Sequence, residues 1–61
     1  MMIENVRVKP ETRNHKGMYI LEASYKLVEI DQNGWALICL DDHSCHYVDP
    51  DDLKLPKVRN K

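Results

Sequence analysis

Four side chains in one short segment have the functional groups that bind zinc. They are Cys39, His43, Cys45 and His46. Thiolates and imidazoles are suitable zinc donors, but the segment has no Cys-x-x-Cys pair, and neighbours on a strand point to opposite faces. The same divergence separates Cys45 from His46, which would otherwise suit a thiol nucleophile and its base. A zinc-dependent fold is therefore only a third hypothesis for this chain.

Two pairs of neighbouring carboxylates, Asp41–Asp42 and Asp51–Asp52, are the other groups that can take part in acid–base chemistry. Both pairs lie in predicted turns, where aspartate side chains accept hydrogen bonds from the backbone. A chain of 61 residues also has little material for the walls of a water-excluding pocket. We therefore expect a protein without enzyme activity, metal or cofactor.

The two cysteines, Cys39 and Cys45, are too few for a disulfide scaffold, because small secreted domains usually carry several pairs. We expect both to be free thiols in a reducing compartment. The start of the chain lacks the features of a signal peptide, and no apolar run approaches the length of a membrane helix. Together these features predict a cytoplasmic protein.

Charge is strongly segregated along a chain whose formal net charge is −1. Residues 27–53 contain seven acidic side chains and no Lys or Arg, whereas the first loop and the end of the chain are basic. Clustered cations can contact nucleic-acid phosphates, although this loop lacks an aromatic side chain for base stacking. The cations that would make such contacts are Arg7, Lys9, Arg13, Lys16, Lys57 and Arg59.

The pattern of apolar residues predicts five short strands. Val6–Lys9 alternates apolar and polar residues, which is typical of a half-buried strand. Residues 18–30 contain no Gly or Pro, but their alternation changes phase, so we expect a strand with a bulge near Leu27. A short helical turn over 19–26 is the alternative. Further strands are predicted at 35–40, 45–48 and 53–55, with turns at 31–34 and 41–44 and a 3₁₀ turn at 49–52.

The Asn33-Gly34 turn decides which side chains face outward, because both residues tolerate positive φ. A two-residue loop would pair Ile30 with Leu37 and bury Trp35. A three-residue loop with a left-handed glycine would pair Ile30 with Ala36. We favour the second register, because the inner face of a small barrel has more room for alanine than for an indole. It also pairs Val28 with Ile38 and places Ala36, Ile38 and Leu40 in the core.

An outward apolar patch follows from this register. Trp35, Leu37 and Cys39 face the solvent, and Tyr47 is predicted to lie opposite Cys39 in the second hairpin. Apolar patches rimmed by charge often mark interaction sites, and Trp and Tyr are favoured at binding hot spots. The alternative is that residues 18–27 or the basic tail fold over the patch and bury it.

The order of these elements resembles that of the SH3-like barrels, including the bacterial and phage forms related to the KOW-type fold. Three stretches carry the resemblance, Val6–Lys9, Val28–Ile38 and Val48–Leu55, together 23 of the 61 residues. The resemblance implies a mostly-β, five-stranded barrel over residues 1–56, closed so that sheet edges are removed, and a flexible basic tail at 57–61. It implies no particular ligand, because the aromatic row of a proline-peptide groove is missing and such folds host unrelated functions.

We therefore predict a small adaptor or inhibitor that binds another protein or a second copy of itself, the kind of accessory protein that phages encode. The residues assigned to this contact are Trp35, Leu37, Tyr47, Asp41 and Asp42, with the acidic turns steering the chain toward a basic surface. A nucleic-acid-binding barrel that uses the basic loop 7–16 and the tail is the alternative. No contact with a membrane is expected.

Overall fold

The computed structural model describes residues 2–56 as five antiparallel strands and one 3₁₀ turn. The strands are β1 (Ile3–Val8), β2 (Tyr25–Ile30), β3 (Ala36–Cys39), β4 (Cys45–Val48) and β5 (Leu53–Lys54), and the 3₁₀ turn is Pro50–Asp52. They form one sheet in the order β4-β3-β2-β1-β5. The mostly-β class and the 3₁₀ turn before the last strand are as predicted. The basic tail predicted at 57–61 lies outside the described residues.

The core lies on one side of the sheet and is formed by alternate residues of the strands. Its members are Val6, Val8, Tyr25, Leu27, Ala36, Ile38 and Val48. Leu40 was predicted to belong to this core, but 44% of its surface is exposed. The prediction is wrong because β3 ends at Cys39, so Leu40 lies in the following turn.

A bulge in β2 accounts for the change of phase in its apolar pattern. Leu27 pairs with Ile38 and Glu29 pairs with Leu37, which makes Val28 the extra residue. The predicted bulge near Leu27 is confirmed, but the predicted pairing of Val28 with Ile38 is wrong. Because a bulge shifts the ladder by one residue, it is Leu27 that faces the core, and Val28 is left half-buried outside the core cluster.

The β2–β3 hairpin has the predicted register. Ile30 pairs with Ala36, and Gly34 has a φ of +89°, a conformation that glycine adopts without steric cost. The N–H of Gly34 donates to the carbonyl of Asp31 at 3.0 Å. The Asp31 carboxylate in turn accepts two backbone N–H groups, one of them from Trp35 at 2.9 Å.

The β3–β4 hairpin differs from its prediction by two positions. Cys45 pairs with Cys39, and Tyr47 pairs with Leu37 rather than with Cys39. The turn is displaced because the Asp41 carboxylate accepts two backbone N–H groups that follow it, at 2.8 and 2.9 Å. A shift of two residues leaves each side chain on its original face, so Tyr47 still lies on the outer face.

The long loop between β1 and β2 crosses to β4. Gly17 is its turn point, as predicted, with a φ of +85°. Asn14 forms an isolated bridge with Val48, and the N–H of His15 donates to the carbonyl of Tyr47 at 2.8 Å. The loop is therefore attached to the strand at the far edge of the sheet.

Residues 20–24 form neither the strand nor the helical turn that was predicted there, and β2 begins only at Tyr25. The N–H of Ile20 donates to the carbonyl of Thr12 at 3.1 Å, which ties this segment to the other side of its own loop. The buried Tyr25 hydroxyl donates to the carbonyl of Leu21. Burial raises the pKa of Tyr25 above its ordinary value of 10.0.

Candidate protein-binding face

Three apolar side chains share the outer face of the β3–β4 hairpin. Leu37 and Tyr47 are directly opposite each other, and Trp35 immediately precedes β3. Ala36 and Ile38 are fully buried, so their alternate neighbours point away from the core. Trp35, Leu37 and Tyr47 are each half-buried, and we refer to these three residues as the aromatic face.

The ring of His15 lies against both aromatic rings of this face. Its centroid is 5.5 Å from that of Tyr47 and 6.0 Å from that of Trp35, in edge-on arrangements that aromatic pairs favour. His15 therefore covers part of the apolar patch. Residues 18–27 or the basic tail were considered for that role from the sequence. The sequence indicated only that His15 belongs to a basic loop, because its aromatic contacts depend on the attachment of that loop to β4.

A shallow recess of about 200 Å³ adjoins the indole of Trp35. Asn33, Gly34 and Asp49 form the rest of its lining. The carboxylate of Asp49 accepts the N–H of Asp51 at 2.9 Å as the N-cap of the 3₁₀ turn. A recess lined by an aromatic residue and an aspartate suits a cation.

Asp41 and Asp42 lie at the opposite end of β3 from Trp35. Both acids line a groove of about 260 Å³, which we call the hairpin groove. Its other lining residues are Met2, Lys26, Val28, Cys39, Leu40 and Cys45. The residues predicted as one contact surface therefore form two groups, one at each end of β3.

The cations of the nucleic-acid alternative are partly assembled by the pairing of β1 with β5. Arg7 lies directly opposite Lys54, and Lys9 follows the end of β1. The N–H of Lys9 donates to the carbonyl of Asp52 at 2.9 Å, which holds β1 against the 3₁₀ turn. Lys54 was not among the predicted contacts, because only the cross-strand register brings it next to Arg7.

The loop cations are held separately from this strand pair. The Arg13 guanidinium lies 4.5 Å from the centroid of the Tyr19 ring and donates to its hydroxyl at 2.7 Å. Lys16 is exposed at the turn of the loop. Lys57 and Arg59 lie outside the described residues.

Cys39 and Cys45 form a disulfide, so the prediction of two free thiols is wrong. The displaced second hairpin is the reason, because it places the two residues directly opposite each other. The paired cysteines therefore do not indicate a reducing compartment. His43 is exposed in the turn, whereas the ring of His46 lies 6.1 Å from that of Tyr25 on the inner side of the sheet. Residues 2–56 contain no group of three or more metal-binding side chains.

Comparison of the chain with known proteins gives no match to any family model, curated protein or solved structure. Within residues 2–56, no helix is long and apolar enough to cross a membrane. The aromatic face, the hairpin groove and the cations of β1 and β5 are the surface features on which a function can be proposed.

Proposed function

We propose that this chain is a small non-enzymatic protein-binding module, an adaptor or an inhibitor, and that the aromatic face is its contact surface. The observation that carries the proposal is that Trp35 and Tyr47 lie half-exposed on one outer face and are braced by the same His15 ring. Side chains that are already braced lose little conformational entropy when a partner covers them. Trp and Tyr are also the residues most enriched at binding hot spots.

The charges around the aromatic face favour a basic partner. Asp49 lines the same recess as Trp35, and Glu29 pairs with Leu37 in the ladder. A Lys or Arg of the partner would stack on the indole while donating to the carboxylate of Asp49. A second copy of the chain would bring the same acidic surroundings and be repelled, so a different protein is favoured over self-association.

The fold that we propose for this module is an SH3-like barrel. Three observations support it: the strand order β4-β3-β2-β1-β5, the 3₁₀ turn between β4 and β5, and the attachment of the β1–β2 loop to β4. Such barrels present loops and outer strand faces to ligands of many kinds. The fold therefore agrees with a binding function and leaves the partner to be decided by the aromatic face.

A capture experiment with matched tyrosine variants tests the proposal. The chain is immobilised and incubated with an extract of the cells that encode it, and bound proteins are identified by mass spectrometry. We expect proteins that are enriched by the unmodified chain and by Tyr19→Ala but lost with Tyr47→Ala. Tyr19 is the control because it is a tyrosine with 63% of its surface exposed, outside the aromatic face. Circular dichroism of each variant verifies that it is folded, and equal capture by a folded Tyr47→Ala variant would exclude the face.

Nucleic-acid binding is the second candidate, and the pairing of Arg7 with Lys54 is the observation that favours it. Like charges directly opposite each other destabilise a sheet, and an anion bound between them would relieve the repulsion. The expected result is retention on heparin that weakens with salt and that decreases in Arg7→Gln but not in Lys26→Gln. Elution of the unmodified chain without retention at low salt would argue against this candidate.

A further inference from the structure

The disulfide between Cys39 and Cys45 lies at the open edge of the sheet. The N–H of Leu40 donates to the carbonyl of Ser44 at 2.7 Å, so the next pair, Cys39 with Cys45, is a non-hydrogen-bonded pair whose side chains come closest together. β4 is the edge strand of the sheet, and β3 lies between β4 and β2. The two sulfur atoms therefore differ in position, with that of Cys45 nearer the solvent.

The exposure of the two cysteines shows the same difference. Cys45 is exposed, whereas Cys39 is half-buried between its neighbouring strands. Both line the hairpin groove of about 260 Å³, which leaves space for a small molecule or side chain beside the disulfide. A thiolate attacks a disulfide along the axis of the S–S bond. β2 lies beyond Cys39 in that direction, whereas β4, which carries Cys45, is the edge strand of the sheet.

Charge adds a chemical difference to this geometric one. Lys26 of β2 lies directly opposite Cys39, and its positive charge stabilises a thiolate on that sulfur. Asp41 and Asp42 line the groove beside both cysteines, but it is the sulfur of Cys45 that lies 3.9 Å from the carbonyl oxygen of Asp41, a contact that disfavours a thiolate there. In thiol–disulfide exchange, the sulfur that is more stable as a thiolate leaves faster. Cys39 is therefore the better leaving group.

We propose that the Cys39–Cys45 disulfide is a site of thiol–disulfide exchange that reacts with cationic or uncharged dithiols. The incoming thiolate forms a bond to the sulfur of Cys45, the S–S bond breaks, and its electron pair leaves on the sulfur of Cys39. The second thiol of the dithiol then loses its proton and displaces Cys45 from the mixed disulfide. Two electrons and two protons pass from the dithiol, which becomes a disulfide, to the two cysteines. This chemistry is independent of what the aromatic face binds.

Trapping the mixed disulfide tests the proposal. The folded chain is treated briefly with cysteamine, a cationic monothiol that completes the reduction only if a second molecule attacks the mixed disulfide, and free thiols are alkylated with iodoacetamide at early times, before that second step. Because no Lys or Arg lies between Lys26 and Lys54, both cysteines fall in one tryptic peptide, and fragmentation of that peptide assigns each label. We expect cysteamine on Cys45 and the alkyl group on Cys39. The reverse assignment would overturn the proposal, as would two alkylated cysteines in the oxidised chain before thiol is added.

The rate of exchange with added thiols distinguishes a disulfide that reacts in the folded chain from one that reacts only after unfolding. At equal thiolate concentration, we expect cysteamine to react several-fold faster than the anionic thiol 2-mercaptoethanesulfonate, because of Asp41 and Asp42. Lys26→Met should slow exchange with the uncharged thiol 2-mercaptoethanol about threefold to fivefold, the effect of one nearby charge in water on the leaving thiolate, and the matched control Lys54→Met should not. A rate that is insensitive to Lys26 and rises in proportion to the unfolded fraction in urea would show that the folded groove plays no part.

Discussion

The two hairpins that share β3 differ in what sets their register. In the β2–β3 hairpin, Gly34 adopts a φ of +89°, and the pairing of Ile30 with Ala36 follows from the turn. The β3–β4 hairpin contains no glycine, and its register coincides with the Asp41 hydrogen bonds and the disulfide between Cys39 and Cys45. Each turn has an aspartate that accepts two backbone N–H groups, so the hairpins differ in that a left-handed glycine accompanies the first register and a disulfide accompanies the second.

This difference has a consequence for the candidate sites at the two ends of β3. The aromatic face begins at the hairpin whose turn is fixed by glycine, and it is braced by His15 from a distant loop. The hairpin groove lies at the end that is held by a reducible bond. We expect the first end to keep its structure under conditions that alter the second, and the following experiments test that contrast.

Removal of the disulfide is expected to have the largest effect. The bond joins residues six positions apart, and closing a loop this short contributes about 2 kcal/mol to the free energy of unfolding. The double variant Cys39→Ser with Cys45→Ser should lose about that amount in urea titrations of the oxidised proteins. Reduction of the unmodified chain should give a similar loss. A double variant as stable as the unmodified chain would mean that the second hairpin holds its register without the bond.

Replacement of Gly34 by alanine should destabilise the first hairpin by about 1–2 kcal/mol, the cost of a left-handed conformation for a residue with Cβ. No atom lies within 4 Å of the Cβ that would be added, either here or at Gly17, so the cost arises from the backbone alone. Gly17→Ala is the matched control, because Gly17 has a φ of +85° in a loop that sets no strand register. Both variants should lose similar stability in urea, but only Gly34→Ala should shift the backbone amide signals of Ile30 and Ala36, which pair next to the first turn. Equal shifts of these amides in the two variants would contradict the role of Gly34 in setting the register.

The sequence predicted the turn of the first hairpin and the pairing next to it correctly, and the register of the second hairpin incorrectly, for reasons that lie in these residues. Asn33-Gly34 has few accessible turn conformations. The register expected from the turn therefore agrees with the register expected from the alternation of apolar residues. Within Asp41–Ser44, several residues are able to accept or donate local hydrogen bonds, and the choice between two registers depends on the position of Cys45 relative to Cys39. The outer placement of Tyr47 was correct under either register, because the two differ by an even number of residues.

Long-range contacts explain most of the other differences between the sequence pattern and the structure. The apolar residues 18–24 were assigned to a strand because their alternation continues into β2. In the structure, the N–H of Ile20 instead bonds to the carbonyl of Thr12 across the loop. The contact of His15 with the aromatic face and the pairing of Arg7 with Lys54 likewise join distant segments, and no local signal predicts them.

Asp31 and Asp41 offer a direct comparison of the two turns, since each carboxylate accepts two backbone N–H groups. Asp31→Ala should cost about 1 kcal/mol, because it leaves the half-buried N–H of Trp35 without its partner. Asp41→Ala should cost roughly half as much, because the N–H groups that it releases are exposed to water. Urea titrations measure both values. A larger loss for Asp41→Ala than for Asp31→Ala would contradict the expectation that burial of the released N–H groups sets the cost.

Alkaline titration of Tyr25 should give the smallest effect and probes the sheet that both hairpins share. The pKa of Tyr25 is raised in the folded chain by burial, so its contribution to stability is complete below about pH 10 and is lost as pH rises through the folded pKa. The unfolded chain loses the proton first, which favours unfolding. Tyr25→Phe should therefore flatten the decline of stability above about pH 10, whereas Tyr19→Phe, at an exposed tyrosine, should leave it unchanged. An identical decline in the unmodified chain and in Tyr25→Phe would contradict the assignment to Tyr25.

The most direct test of the proposed contact surface is a titration of the ¹⁵N-labelled chain with the protein that it captures, followed by NMR. We expect the largest shifts or broadening at the indole N–H of Trp35 and at the backbone amides of His15, Leu37 and Tyr47, with β1 and β5 little changed. Perturbations confined to Arg7, Lys9 and Lys54, with the indole signal unmoved, would contradict a protein contact through the aromatic face.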